Sequence, residues 1–246
     1  MDKKVHFIWY QGINKIPPNY LITLDKFKKI NHDFEIKIWD EKTLGDELQK
    51  TTNKIFKNAL DKCKFFIQKI DIYKWLILFN YGGFYMDLDI DVGEPIDTML
   101  LDFNNYELVL SKMQVWSYIP YYVVNNGIIW AKQNTSLIPN IVDSIEWHQP
   151  FFKNKDWLVL DTTGPFHLSR WAKKNHKGLL ILDDKYFEGR PLVYISDSRG
   201  MYITHLHDSK WMDNWLHIYI FLLKNLFFLI GFGIAIYYLQ SQNFSF

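Results

Sequence analysis

Three aspartates spaced two residues apart, Asp87, Asp89 and Asp91, alternate with Leu88, Ile90 and Val92, and carboxylates in that pattern suit a hard divalent cation. The period of two is a strand's period, which sets the acids on one face about 6.6 Å apart per step, with apolar side chains on the other. At an effective dielectric of about 20, neighbours at that spacing repel by about 2.5 kcal/mol per pair, so the row calls for a positive partner. Mg²⁺ or Mn²⁺ would take oxygens from one or two of the acids and leave its other positions to water and phosphate. A calcium loop of the EF-hand type is excluded, because counting from Asp87 puts Val92 where that loop needs glycine and Thr98 where it needs glutamate. The other reading is a solvent-facing edge strand kept soluble by its acids. Gly82-Gly83 count against it, since they end the preceding helical pattern and let backbone approach a ligand closely.

Other groups capable of chemistry lie on both sides. Asp71 and Lys74 fall three apart, on one helix face with Ile67 and Leu78, and a charged pair in apolar company needs a partner or ligand. As a plain surface pair it would contribute only about 0.2–0.5 kcal/mol. Trp9 ends an apolar run and is either a base-stacking ring or a core tryptophan. Asn125-Asn126-Gly127 offers amides within a β-like run and reads equally as a turn. His205-Leu206-His207-Asp208-Ser209-Lys210-Trp211 concentrates imidazole, carboxylate and hydroxyl groups. No residue stands out as a catalytic nucleophile; Asp91 qualifies by position alone and is equally a structural acid.

The elements that must position these groups alternate strand and helix. Val5 to Trp9 reads as a buried first strand and Gln11 to Pro18 as a loop, followed by a helix from Asn19 to Ile30. Phe34 to Trp39 alternates as a second strand, with Asp40-Glu41 capping the next helix. A long apolar helix over Phe65 to Tyr81 leads into the aspartate strand. Further strands are expected at 107–111, 123–130, 179–182 and 201–206, and helices at 135–147 and 166–175, the last opened by Thr162-Thr163-Gly164-Pro165. This is an α/β pattern, in which ligands sit outside the carboxyl ends of strands, where the aspartates and Trp9 fall.

Composition narrows the class. A chain of 246 residues with no Pro-rich or Gly/Ser-rich linker suits one sizeable core, and a net charge of +1 gives no broad basic surface for nucleic acid. Cys63 is the only cysteine, so no internal disulfide forms. The start, Met1-Asp2-Lys3-Lys4 and then Val5 to Tyr10, is too short in its apolar run for a signal peptide. From Trp215 to Leu239 the chain is apolar over about the length that spans a bilayer, interrupted by Lys224 and Asn225. The expected organisation is a catalytic domain over 1–212 and a hydrophobic segment over 213–246. That segment is read as a single-pass C-terminal anchor at 216–239, with a helix packed on the domain or lying in the interface as the alternative. Lys210 and Arg199 precede it and the tail Gln240 to Phe246 carries no charge, which places the domain on the cytoplasmic face.

The ordered set VHFIW with Pro17-Pro18, FEIKIWDE, Asp71-Ile72-Tyr73-Lys74, GGFYMDLD and the His205 to Trp211 block, from about Val5 to Trp211, resembles the DXD-containing sugar-nucleotide transferases of glycosyltransferase family 32. It is also similar, in the same order, to the glucosyltransferase domains of large clostridial cytotoxins. The resemblance implies a GT-A fold: a single mixed, mainly parallel sheet flanked by helices. It further implies a Mn²⁺ or Mg²⁺ cofactor, a UDP- or GDP-hexose donor, a glycan or glycolipid acceptor and retention of anomeric configuration. By motif position, Trp9 would stack on the base, Asp71 and Lys74 would hold the donor sugar and phosphate, and Asp87 would face ribose and metal-bound water. Asp89 would ligate the metal, with His205 matching the family's histidine near it. Tyr85 and Asn126 or Asn125 would line the donor site, and Ser209 and Trp211 would close over the diphosphate. Lys74 stands where the family usually has Arg, replacing a bidentate fork by a point charge, and Ser209-Lys210-Trp211 replaces the usual Gly-Ser-Trp. Two rival classes remain. One is a non-catalytic binder of nucleotide sugar or glycan on the same fold. The other is metal-dependent phosphoryl transfer, which wants a glycine loop before a helix, whereas Gly82-Gly83 follows one.

Overall fold

The computed structural model describes residues 3–114, 122–147, 154–174, 176–188 and 199–208, together with Lys210, Met212, Ile218, Ile230 and Ile234. In chain order the elements are β1 (Lys4–Ile8), α1 (Pro18–Ile30), β2 (Glu35–Trp39), α2 (Glu41–Lys50), α3 (Lys54–Lys62), α4 (Phe66–Tyr81), β3 (Gly83–Met86) and β4 (Ile90–Val92). There follow α5 (Asp97–Phe103), β5 (Leu108–Gln114), β6 (Tyr122–Val124), β7 (Ile128–Ala131), α6 (Leu137–Asp143), α7 (Lys155–Thr162), α8 (Pro165–Ala172), β8 (Leu179–Leu182), α9 (Asp184–Phe187) and β9 (Ile203–His205).

The main sheet runs β2-β1-β3-β7-β5-β6, with β8 also on β5. β1 pairs in parallel with β2 and β3, and β8 in parallel with β5, while β7 and β6 are antiparallel to their neighbours. Strands β1, β2, β3, β5 and β8 therefore share one direction and the sheet is mixed, as expected. Period-two alternation sorts its side chains: Phe84 and Met86 enter a core with Phe7, Phe27 and Trp130, and Tyr85 enters another with Trp75, Leu76 and Ile129. Covering both faces is what the near-continuous apolar strands demand.

Local signals start and stop the helices. Asp40 forms a capping box with Thr43 at the head of α2. α4 is apolar nearly all round, and it is buried among β1, β3, β7, α2, α3, α6 and α7. It ends at Gly82, whose φ of 62° only glycine adopts cheaply, and a Cβ there would meet the Gln133 backbone nitrogen at 2.7 Å. Gly83, at φ 84°, would meet the Lys4 carbonyl oxygen at 2.6 Å. The close approach expected of a ligand at these glycines is thus made by neighbouring backbone.

The C-terminal anchor expected at 216–239 lies outside the described residues except at Ile218, Ile230 and Ile234, which are helical and exposed. Among the described residues no helix is long and apolar enough to cross a membrane.

Candidate active site

The aspartates do not form one strand, which corrects the expectation of a single row. β3 stops at Met86, and the Asp87 N–H donates to the Gly127 carbonyl at 2.8 Å. The chain then turns out of the main sheet through Asp87–Asp89 and becomes β4, which pairs with β9 so that Ile90 faces His205 and Asp91 faces Thr204. The apolar half of the pattern holds: Leu88, Ile90 and Val92 are buried. The turn divides three acids that would repel in a row. Asp91 leaves the group and binds Lys26 at 2.5 Å and Arg199 at 2.9 Å, a structural role on the surface.

Asp87 and Asp89 converge on His205. Its Nε2 lies 3.2 Å from Asp89 Oδ1 and 3.8 Å from Asp87 Oδ2, and the three side chains present ligand atoms within 4.8 Å of one another. Each acid is anchored by its other oxygen: Tyr85 Oη donates to Asp87 Oδ1 at 2.6 Å, and the Asp208 N–H to Asp89 Oδ2 at 2.8 Å. Burial alone would raise Asp89, but His205, the Asp208 N–H and His207 outweigh it and bring the carboxyl down to about 2. Burial would lower His205, but Asp89 and Glu188 outweigh it and hold the imidazole well above its usual value. The pocket thus favours an anionic Asp89 beside a protonated His205.

Asn125-Asn126-Gly127 is the bulge that seals this corner. Between the pairs Val109–Trp130 and Lys112–Val124, β5 advances three residues while its partner strand advances six, and the surplus loops out as these three residues. Gly127 is needed there because a Cβ would meet Asp87 Oδ2 at 2.6 Å and His205 Cε1 at 2.8 Å. Asn126 Nδ2 donates to Asp71 Oδ1 at 3.2 Å, and the Asn126 carbonyl accepts from Lys74 Nζ at 3.1 Å. Asn125 is buried, its side-chain oxygen accepting from the Gly127 N–H and its amide donating to Glu188.

Asp71 and Lys74 form the floor. Their side chains are 6% and 4% exposed and lie 2.9 Å apart, and Thr163 Oγ1 donates to Asp71 Oδ2 at 2.7 Å. Gln68, one turn earlier on α4, donates to Thr162 Oγ1 at 2.7 Å, which docks the end of α7 on the same helix. Burial would lower Lys74, but Asp71, Asp87 and Asp89 raise it and keep it charged. The surface-pair reading of Asp71 and Lys74 is therefore overturned.

Trp9, just past β1, is half-buried against Tyr20, ring centroids 5.6 Å apart, and its Nε1 is buried without a hydrogen-bond partner. Tyr20 Oη donates to Asp208 Oδ2 at 2.7 Å and receives Lys210 Nζ at 2.8 Å, tying α1 to the segment after β9. Two expected donor residues, Tyr85 and Asn125, are buried, and their side chains donate to Asp87 and Glu188. Ser209 and Trp211 lie outside the described residues. Thr163 and Glu188 join the site without a sequence signal of their own, whereas His207 stood in the cluster already noted; its Nε2 is 2.6 Å from Glu188 Oε2.

A divalent ion fits the donor set. Two carboxylates and an imidazole nitrogen converge with room kept by Gly127, and so few protein ligands leave positions for diphosphate and water.

Residues 17–108 match the family model of the glycosyltransferase sugar-binding region containing the DXD motif. An uncharacterised glycosyltransferase of Acanthamoeba polyphaga mimivirus is 24% identical over 218 residues, covering 84% of this chain and 82% of that protein. Inositol phosphoceramide mannosyltransferase 3 of Schizosaccharomyces pombe is 24% identical over 173 residues, or 69% of this chain and 44% of that protein. The chain thus spans less than half of the fungal relative. Among solved structures, mouse xyloside xylosyltransferase 1 superposes with a TM-score of 0.54 at 9% identity, covering 87% of this chain and all of that one. The fold is mixed α/β and GT-A-like, and the chain's relatives are glycosyltransferases.

Proposed function

We propose that this chain, whose residues 17–108 carry the DXD glycosyltransferase sugar-binding region, is a metal-dependent hexosyltransferase. The observation that carries the reading is the convergence of Asp87, Asp89 and His205 at the carboxyl end of β3, over a buried Asp71–Lys74 floor. Such a corner is where an open α/β sheet binds its ligands. In this reading Asp87, Asp89 and His205 hold Mn²⁺ or Mg²⁺, which when bound supplies Lewis-acid stabilisation to a departing nucleoside diphosphate. Asp71 and Asn126 flank the sugar, and Trp9 takes the base on the ring face away from Tyr20. Lys74 Nζ is engaged by Asp71 and the Asn126 carbonyl, so it acts on the diphosphate through its field, and it holds the bulge in place. Ser209 and Trp211 complete the donor site, and transfer proceeds with retention, as the family resemblance implies.

The acceptor is a glycan or a lipid-linked one. Support comes from the fungal relative, named for an inositol phosphoceramide acceptor, and from the apolar run at 216–239, which would anchor the catalytic domain on the cytoplasmic face of a membrane. The test is release of UDP or GDP from a panel of UDP- and GDP-hexoses with and without Mn²⁺. Metal-dependent release from one donor, abolished in Asp89→Asn, is the expected result. No release from any donor under either condition would overturn the activity. One observation favours a second reading, a non-catalytic binder of nucleotide sugar: the floor cation is a lysine turned inward on protein atoms. That reading predicts metal-dependent donor binding with no nucleoside diphosphate released.

A further inference from the structure

Behind His205, on the side away from the aspartates, sits a carboxylate that the proposed metal and donor contacts leave unused. Glu188 is fully buried at the end of α9, a position at which an acid almost never sits unless paired. Its partners all belong to the site's rear wall. Oε2 lies 2.6 Å from His207 Nε2, and Oε1 accepts from the Asn125 amide, whose nitrogen lies 3.3 Å from His205 Nδ1, with Oε1 itself 3.7 Å from Nδ1. His207 holds φ at 54°, a left-handed value that a non-glycine residue adopts only under constraint, and its ring packs 4.1 Å from that of His205. Asn125 in turn accepts from the Gly127 N–H, and Gly127 closes against Asp87 and His205.

We propose that Glu188 is the positioning residue of the metal centre. By holding the Asn125 amide against Nδ1, and by its own charge behind that nitrogen, it orients His205 so that Nε2 faces Asp87 and Asp89, and through Asn125 and His207 it fixes the bulge and the turn that frame the ion. The inference rests on the metal-site reading above. A histidine ligand whose far nitrogen meets a carboxylate has its tautomer and ring plane set, and loss of such partners typically costs about 10–100-fold in metal affinity. Glu188 itself does not touch the ion in this arrangement, because its oxygens are taken up by Asn125 and the histidines on the rear of the His205 ring.

The test is Mn²⁺ binding to the full chain, followed by the loss of the free-ion EPR signal, for the wild type, Glu188→Gln and Glu188→Asp. Thermal melts verify folding, and ¹⁵N shifts of His205 report its tautomer. One ion per chain in the wild type, about 10–100-fold weaker binding in Glu188→Gln with a changed His205 tautomer, and partial recovery in Glu188→Asp is the expected result. Should Glu188→Gln not fold, the same comparison stands on Glu188→Asp, which keeps the charge and withdraws the oxygens. Wild-type binding with unchanged affinity and tautomer in a folded variant would overturn the positioning role alone. A second ion per chain, lost in the variant, would overturn it by making Glu188 a ligand. No Mn²⁺ bound by the wild type would overturn the metal-site reading itself, and the role with it.

Discussion

Lys74 Nζ lies 2.9 Å from Asp71 Oδ1 with both side chains almost wholly buried, one turn of α4 apart, directly beneath the bulge that carries Asn126. An ion pair in that position is costly to bury and more costly to break, since either partner alone would be an uncompensated charge. Lys74→Met should therefore destabilise the protein by about 3–5 kcal/mol, read as a lower denaturant midpoint. Asp71→Asn combined with Lys74→Met should recover part of that loss, because the orphaned charge is gone.

Gly127 leaves no room for a side chain beside the proposed metal ligands. Gly127→Ala would push a methyl group against Asp87 Oδ2 and His205 Cε1, both under 3 Å from the new atom. The expected outcome is a folded protein whose Mn²⁺ affinity falls by about 10-fold or more, measured by calorimetry. Unchanged affinity would mean that the corner yields without moving its ligands.

Much of this arrangement was legible in the residues. The FEIKIW strand followed from alternation, the VHFIW and 179–182 strands and the α4 helix from their apolar runs, and Asp87 with Asp89 from the alternation and their apolar neighbours. The turn through Asp87–Asp89 that separates β3 from β4 did not, because period two reads identically in one strand and in two strands joined by a corner; only the pairing of β4 with β9 separates them. Helices α3, α5, α7 and α9 are short and lie between stronger signals, so tertiary packing decides them more than pattern. Glu188 and Thr163 meet the site across long stretches of sequence, and such contacts leave no local mark. Tyr85 and Asn125 matched motif positions, but a motif does not tell a residue that faces the donor from one that supports such a residue.

His6 gives the fold a pH dependence of known sign. Its Nδ1 accepts from Trp39 Nε1 and its Nε2 donates to the Gly82 carbonyl, an arrangement open only to the neutral ring. Burial above all, with nearby Lys37 and Lys4, lowers its pKa to about 4, against the Gly82 hydrogen bond, which raises it. Between about 4 and 6.5 the unfolded chain binds a proton that the folded one refuses. The contribution is complete above about pH 6.5 and is lost as pH falls towards 4, up to about 3 kcal/mol. Unfolding free energies at pH 7.5 and pH 4.5 should differ in that direction, and His6→Gln should reduce the difference.

Metal binding should also register as stability, since an ion held only by the folded site stabilises it by about 2.7 kcal/mol at 100 times Kd. Mn²⁺ should raise the melting temperature of the wild type. Asp89→Asn, which removes the acid nearest His205, should abolish the rise, whereas Asp91→Asn, remote from the donors, should keep it.

The central claim is that Asp87, Asp89 and His205 hold an ion through which a nucleoside diphosphate sugar binds. Calorimetric titration of the wild type and Asp89→Asn with UDP- and GDP-hexoses, with Mn²⁺ and after its removal by chelation, tests it most directly. The account predicts saturable binding of one donor by the wild type with Mn²⁺, falling at least about 10-fold on chelation and in Asp89→Asn. Binding of equal strength with and without the ion, or none to any donor, would contradict it.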